Sequence, residues 1–286
     1  MRKYNVTGIH AVLSFVLLGF GVAITSAASV TYTPITVPGS DSTQARAINN
    51  LGQIVGSYIA ASKTHGYLLS NGQYTTIDYP GATSTTISGI NDAGDMVGFY
   101  TDSRGASHGL LDHAGVLTAI NVPKASNTIA YGINGTGQIV GFYIDQTSEF
   151  RGFELIGGKY TQVDVPNATQ TQAYGINASG DIIGAFNDAG GQHAFLLHDG
   201  SYQTFNVPGT TNTGAVAIND NGYIVGSYVN PNLQQLQGYV SDIVKVITVS
   251  DPDGTMTGPT GINNSDTIVG TFITSQGTET GFMATQ

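Results

Sequence analysis

The chain has 286 residues, of which 40% are hydrophobic and only 10% charged, with 39 glycines, no cysteine and no tryptophan. The lack of cysteine excludes a disulfide framework, a thiolate metal site and a cysteine nucleophile. The formal charge of −10 becomes two units more negative without Arg2 and Lys3, and so acidic a chain repels nucleic acid and anionic bilayers.

Arg2 and Lys3 precede an apolar stretch over 11–24, which ends in the small residues Thr25-Ser26-Ala27-Ala28. This pattern predicts a secretory signal over 1–28, cleaved after Ala27 or Ala28. The run is shorter than the roughly twenty residues of a bilayer span and is interrupted by Gly19 and Gly21; an uncleaved N-terminal anchor is the competing reading. The remainder, 29–286, is expected to be one soluble domain, secreted to the extracellular space or the periplasm.

An isolated strand is predicted over 31–37, directly before Pro38. From there the chain repeats itself. Ile-Asn recurs with Asn49, Asn91, Asn134, Asn177, Asn219 and Asn263, at intervals of 42, 43, 43, 42 and 44 residues. Seven residues after each Asn stands a glycine, from Gly56 to Gly270, and two further on an aromatic, from Tyr58 to Phe272. A proline (Pro38, Pro80, Pro123, Pro166, Pro208, Pro252) keeps the same interval, with a threonine five residues beyond each.

Each copy reads as four strands. The first ends at Ile-Asn; the second is the Ile-Val-Gly-x-aromatic run (139–143); the third is His-Gly-aromatic-Leu-Leu (65–69); the fourth runs to the proline (74–80). Asn-Asp-x-Gly, as at Asn91 to Gly94, marks a hairpin because glycine accepts a positive φ. Asp266 takes that glycine's place in the sixth copy, a residue that tolerates the left-handed region. A period near 42 with four strands per unit predicts an all-β, six-bladed β-propeller with four antiparallel strands per blade. The last copy lacks its fourth strand, and the N-terminal strand is predicted to close that blade, leaving no open edge. An open β-solenoid is the alternative. The residue before the repeated Ile is always Ala or Gly (Ala47, Gly89, Gly132, Gly175, Ala217, Gly261), which puts the first strand innermost, where backbones crowd.

These units resemble the secreted bacterial HAF extracellular repeats. His193-Ala194-Phe195 matches the namesake tripeptide, His65-Gly66-Tyr67 and His108-Gly109-Leu110 are close variants, and 132–143 carries the surrounding Gly-Ile-Asn-x-x-Gly-x-Ile-Val-Gly-x-Tyr. Arg151, Gln237 and Thr280 replace the histidine in the other copies. The resemblance covers essentially all of 29–286 and implies export and a propeller-like fold; it supplies no catalytic residues.

The repeated His65, His108 and His193 diverge on neighbouring blades and are read as blade-building residues. His113 and His198 follow the third strand and belong to the opposite face. Asp102, Asp145 and Asp188 recur after the second strand, where aspartate starts turns; they are weak candidates for Ca²⁺, a hard cation that exported acidic loops can ligate. Asp251-Pro252-Asp253-Gly254 lacks the third ligand position and closing glutamate of a calcium loop. No other metal or cofactor is indicated.

Function is expected where the copies differ. The loops after the second strand vary most. Two positions before the repeated Ile stand Arg46, Ser88, Tyr131, Tyr174, Val216 and Thr260. Arg46, Tyr131 and Tyr174, with Arg104 and Arg151 from the variable loops, are candidates for stacking on and hydrogen-bonding a sugar or peptide; packing accounts for the tyrosines equally well. No Gly-x-Ser-x-Gly, His-Glu-x-x-His or phosphate-cradling loop occurs. The sequence therefore reads as a non-catalytic recognition or scaffold module for an extracellular glycan or protein. The alternatives are a propeller enzyme (glycoside hydrolase, lyase or lactonase) with its site at the axis mouth, or a surface-layer component.

Overall fold

A computed structural model describes residues 31–210, 212–249 and 254–285; the expected signal over 1–28 and most of the Asp251–Gly254 turn lie outside them. The described chain is all β: six four-stranded antiparallel sheets, each a simple meander, arranged as a six-bladed propeller. Blade 3 is representative, with strands Asn127–Ile133, Ile139–Ile144, Phe150–Ile156 and Lys159–Val163 in spatial order. The first strand of every sheet contacts the first strands of both neighbouring sheets, from blade 1 round to blade 6 and back. The first strand is therefore innermost, as the small residue before Ile predicts. A Cβ built on Gly132 would stand 2.7 Å from the Tyr174 carbonyl oxygen of the next blade.

Blade 6 combines the last three strands with the first of the chain. Thr31–Ile35 pairs antiparallel with Glu279–Thr285, Thr31 opposite Thr285 and Ile35 opposite Gly281. Tyr32, Ile35 and Val37 are buried by this closure.

Between blades the layers are apolar. Val97 of blade 2 packs with Ile120, Val122, Ala130, Ile133, Ile139 and Phe153, and each fully buried side chain of this size contributes about 1.5–3 kcal/mol. The large residue at the third position of the His-Gly-aromatic motif (Tyr67, Leu110, Phe153, Phe195, Tyr239, Phe282) is fully buried in all six blades.

Two features account for residues that recur without being apolar. The repeated threonine ties each blade to the linker entering it: Oγ1 of Thr43, Thr85, Thr128, Thr171 and Thr213 accepts the N–H of the residue before the proline, at 3.0–3.1 Å. And every innermost strand carries a β-bulge at the position two before the repeated Ile, as between Ala130 and Gly132. The bulge turns a carbonyl toward the second strand, so a Cβ on Gly141 would collide with the Ile129 oxygen and the Phe153 ring. This is why the Ile-Val-Gly glycine never varies among the copies. The hairpin glycines have positive φ (Gly94 86°, Gly137 78°), and Asp266 adopts 57° in their place.

Candidate functional site

The propeller axis has two different ends. One carries the hairpins joining first to second strands; the other carries the interblade linkers and the loops between second and third strands.

The hairpin end is bonded the same way in nearly every blade. Each repeated Asn is buried and its Oδ1 accepts N–H groups of its own turn, as Asn134 does from Thr136 and Gln138 at 3.1 and 3.0 Å. Its Nδ2 donates to the carbonyl of the next blade's Asn: Asn49 to Asn91, Asn91 to Asn134, Asn134 to Asn177, Asn219 to Asn263 and Asn263 to Asn49, at 3.0–3.2 Å. A second tier links the residues that follow, with Asp92 accepting from Asn50 and Asn264 donating to Asp220. The hollow they surround measures about 220 Å³. His113 and His198 are on this face, each 2.6 Å from a hairpin carboxylate, Asp95 and Asp181. The bond to Asp181 holds the His198 imidazole above its ordinary pKa.

Further along the axis the bulge residues Ser88, Tyr131, Tyr174, Val216 and Thr260 line a narrower hollow of about 80 Å³, well below the several hundred Å³ of a small-molecule cavity. Tyr131 and Tyr174 are brought together as the sequence suggests, edge to face with centroids 4.8 Å apart. Tyr174 also meets the Phe142 ring at 5.8 Å, and burial pushes its phenol well above the usual range, with Tyr131 beside it. Both tyrosines are half-buried.

Arg46 does not line that hollow. Its guanidinium turns back along its own strand toward the linker end, where Nη2 donates to Gln44 Oε1 at 2.7 Å. Gln44 Nε2 in turn donates to Glu279 Oε2 at 2.7 Å, and Ser57 Oγ to Gln44 Oε1 at 3.3 Å. Sequence reasoning passed over Gln44 and Glu279. The available signal was that Glu279 is one of only three glutamates in the chain, but nothing in the sequence pairs it with a glutamine 235 positions away.

The other candidates stand farther out on the linker end. Arg151 is bound within its own blade, Nε 3.0 Å from Asp145 and Nη1 3.5 Å from Asp164. Arg104 is exposed on the blade 2 loop and only its backbone N–H is bonded, to Asp102. The repeated histidines join the second-to-third loop to the fourth strand: His108 reaches Asn121 at 2.7 Å and Asp102 at 3.4 Å, and His193 reaches Asn206 at 3.1 Å and Asp188 at 3.0 Å. His65 contacts Asp78 at 2.8 Å. Each also lies against the aromatic ring of the second strand, as His65 does on Tyr58. These contacts fit the blade-building reading.

Asp102, Asp145 and Asp188 each close their own turn. Backbone N–H groups of Ala106 and Arg104 hold the Asp102 carboxyl below its ordinary pKa, the Thr147 hydroxyl and Glu149 N–H do so for Asp145, and the Gly190 N–H for Asp188. The three belong to successive blades, and among the described residues no three His, Asp or Glu side chains are grouped to hold a metal.

No protein-family model matches the sequence, and no curated protein matches it either. The fold does resemble solved structures. One is a catalytically inactive virginiamycin B lyase from Staphylococcus aureus with quinupristin, 12% identical, covering 90% of this chain and 100% of that one, with a TM-score of 0.53. Another is the Aleuria aurantia lectin in complex with Fucα1-6GlcNAc, 10% identical, covering 85% and 91%, with a TM-score of 0.55. A third is TolB from Acinetobacter baumannii, 12% identical, covering 87% and 65%, with a TM-score of 0.54. At this identity the likeness is one of fold, and a propeller fold hosts binders and enzymes alike.

Proposed function

We propose that this chain is an exported recognition module that binds an extracellular glycan or protein through the linker end of its propeller axis, without catalysis. One contrast carries the reading. The hairpin end repeats one bonding scheme nearly blade for blade, whereas at the linker end, outside the repeated threonine ties, the blades vary in the loops between second and third strands and in the axial residues Arg46, Ser88, Tyr131, Tyr174, Val216 and Thr260. Duplication preserves what builds the unit; departures from the repeat gathered at one end are what a single ligand requires. The resemblance to HAF repeats and the leader-like 1–28 support export and signal cleavage. The lectin and TolB among the structural neighbours are consistent with glycan or protein binding.

Thermal unfolding of the exported protein against soluble glycans and peptides, with and without Ca²⁺, tests this. A ligand present at about one hundred times its Kd stabilises the fold by about 2.7 kcal/mol, a shift of several degrees or less. Tyr131→Ala is expected to remove the shift and Asn50→Ala, at the hairpin end, to preserve it. A shift indifferent to Tyr131 but lost with Asn50 overturns the placement, and turnover of a bound glycan overturns the non-catalytic reading.

A further inference from the structure

Three buried side-chain polar atoms among the described residues have no hydrogen-bond partner: Arg46 Nε, Tyr67 Oη and Ser88 Oγ. Arg46 and Tyr67 belong to blade 1 and Ser88 to blade 2; Tyr67 packs toward blade 6, with Ile35, Val37 and Val269. Arg46 and Ser88 occupy the same bulge position on adjacent innermost strands. Side chains at that position reach the next blade: Thr260 Oγ1 donates to the Ala45 carbonyl at 2.7 Å, and Tyr131 meets Tyr174. Tyr67 lies on the third strand of blade 1, close enough for the Arg46 charge to act on its phenol. Its counterpart Tyr239, in blade 5, donates to the Gly214 carbonyl at 3.1 Å, so the motif itself allows the phenol a partner. A buried donor left without an acceptor costs about 1–3 kcal/mol, and protein interiors rarely leave one so.

The charge balance singles out Arg46. Arg46 is always protonated, with five N–H donors in a fixed fork. No carboxylate lies within ion-pair distance of it among the described residues; the nearest relation to one is indirect, through Gln44 to Glu279. The half-buried Lys63 and Arg151 are paired with aspartates, and Arg104, Lys124 and Lys159 are exposed. In a strongly acidic protein, Arg46 is therefore the half-buried cation left without an anion, at the axial end where the blades differ.

We infer that the linker end of the axis binds a carboxylate-bearing ligand, such as an acidic glycan, with Arg46 as its anion-recognising residue. This rests on the reading of that end as the binding surface and adds the chemical class of the ligand. The guanidinium supplies donors beyond the one given to Gln44, and Gln44 holds the fork in place while keeping the Glu279 charge one residue away.

Galacturonate oligomers and the same oligomers methyl-esterified differ in the carboxylate charge and little else, and are the probes of choice. The Arg46 Nε–Hε resonance, assigned by its loss in Arg46→Lys, is followed by ¹H–¹⁵N NMR of the exported protein during titration. Sodium acetate against sodium chloride at matched ionic strength serves as the simplest carboxylate. The acid is expected to shift this resonance and to bind about ten-fold or more tightly than the ester, with affinity falling as salt rises. Glu279→Gln, which removes a neighbouring negative charge, is expected to strengthen binding of the acid, a gain that a damaged fold would not produce. Acid and ester binding equally, with the Arg46 resonance unmoved, overturns the inference but leaves the recognition module standing. An Arg46 resonance indifferent to both acetate and galacturonate overturns it as well, and the wider ligand panel then decides the module separately.

Discussion

Asn134 makes five hydrogen bonds with one side chain. Its oxygen accepts from the backbone of Thr136 and Gln138 and from the Thr136 hydroxyl; its nitrogen donates to Gln138 Oε1 and to the Asn177 carbonyl of the next blade. Aspartate lacks the donor and serine the reach, so asparagine alone among small side chains meets both needs. The sequence showed the first half of this. An Asn opening a hairpin is expected to satisfy its own turn, and six occurrences identify a building residue. The interblade half was hidden, because it depends on a neighbour 43 residues away. Asn134→Ala is expected to cost about 2–4 kcal/mol by urea unfolding, since it strands turn N–H groups and a buried carbonyl together. Thr136→Val, which removes only a hydroxyl at the rim, should cost less than about 1 kcal/mol. Equal losses would mean that the bonds between blades contribute nothing.

The strands themselves were legible from alternation and turn chemistry, down to Asp266 replacing a hairpin glycine. The bulge was not, because a bulge is a relation between two strands and neither sequence alone contains it. Its traces were present as Gly141 and its equivalents, whose missing Cβ makes room for a displaced carbonyl, but small residues near an axis admit the simpler reading of crowding. The same limit applies to Arg46: its place on the innermost strand could be read, its turn back toward Gln44 could not. The loops between second and third strands behave more locally. Asp145 accepts from Thr147 and Glu149 and pairs with Arg151, so its native pKa is depressed below the ordinary value of 3.8. A depressed carboxyl stabilises the fold above its unfolded pKa, and that contribution is lost as pH falls through the native value. Wild type is therefore expected to exceed Asp145→Asn in urea midpoint at neutral pH, with the gap narrowing below about pH 4. A gap independent of pH from 7 to 2 would show that the carboxylate charge is immaterial there.

At the scale of the whole ring, closure was legible because the copies are out of phase with the chain: the sixth lacks a fourth strand and a lone strand precedes the first. The structure supplies the physical consequence. Five blades are contiguous segments, joined one to the next by their linkers, by side-chain packing and by hydrogen bonds such as those of the repeated asparagines, and not by a shared sheet. Blade 6 is different, since its sheet contains both ends of the described chain and its backbone ladder from Thr31 to Ile35 fastens the first blade to the last. The part this ladder plays in closure is tested by reconnecting the chain. A circular permutant joins Thr285 to Thr31 through a two-residue glycine turn like the Gly157-Gly158 turn of blade 3. It opens the chain instead in the linker at Asn167, so that all six blades become contiguous. Every sheet and interface is retained, but the ring now closes by side chains alone. The permutant is expected to give the same circular dichroism spectrum, with a lower urea midpoint and faster unfolding, because separation of blades 3 and 4 no longer requires breaking a ladder. The decisive quantity is its unfolding rate relative to the uncut order. An equal or slower rate would show that blade-to-blade packing suffices to hold the ring, and that the shared sheet reflects chain order alone.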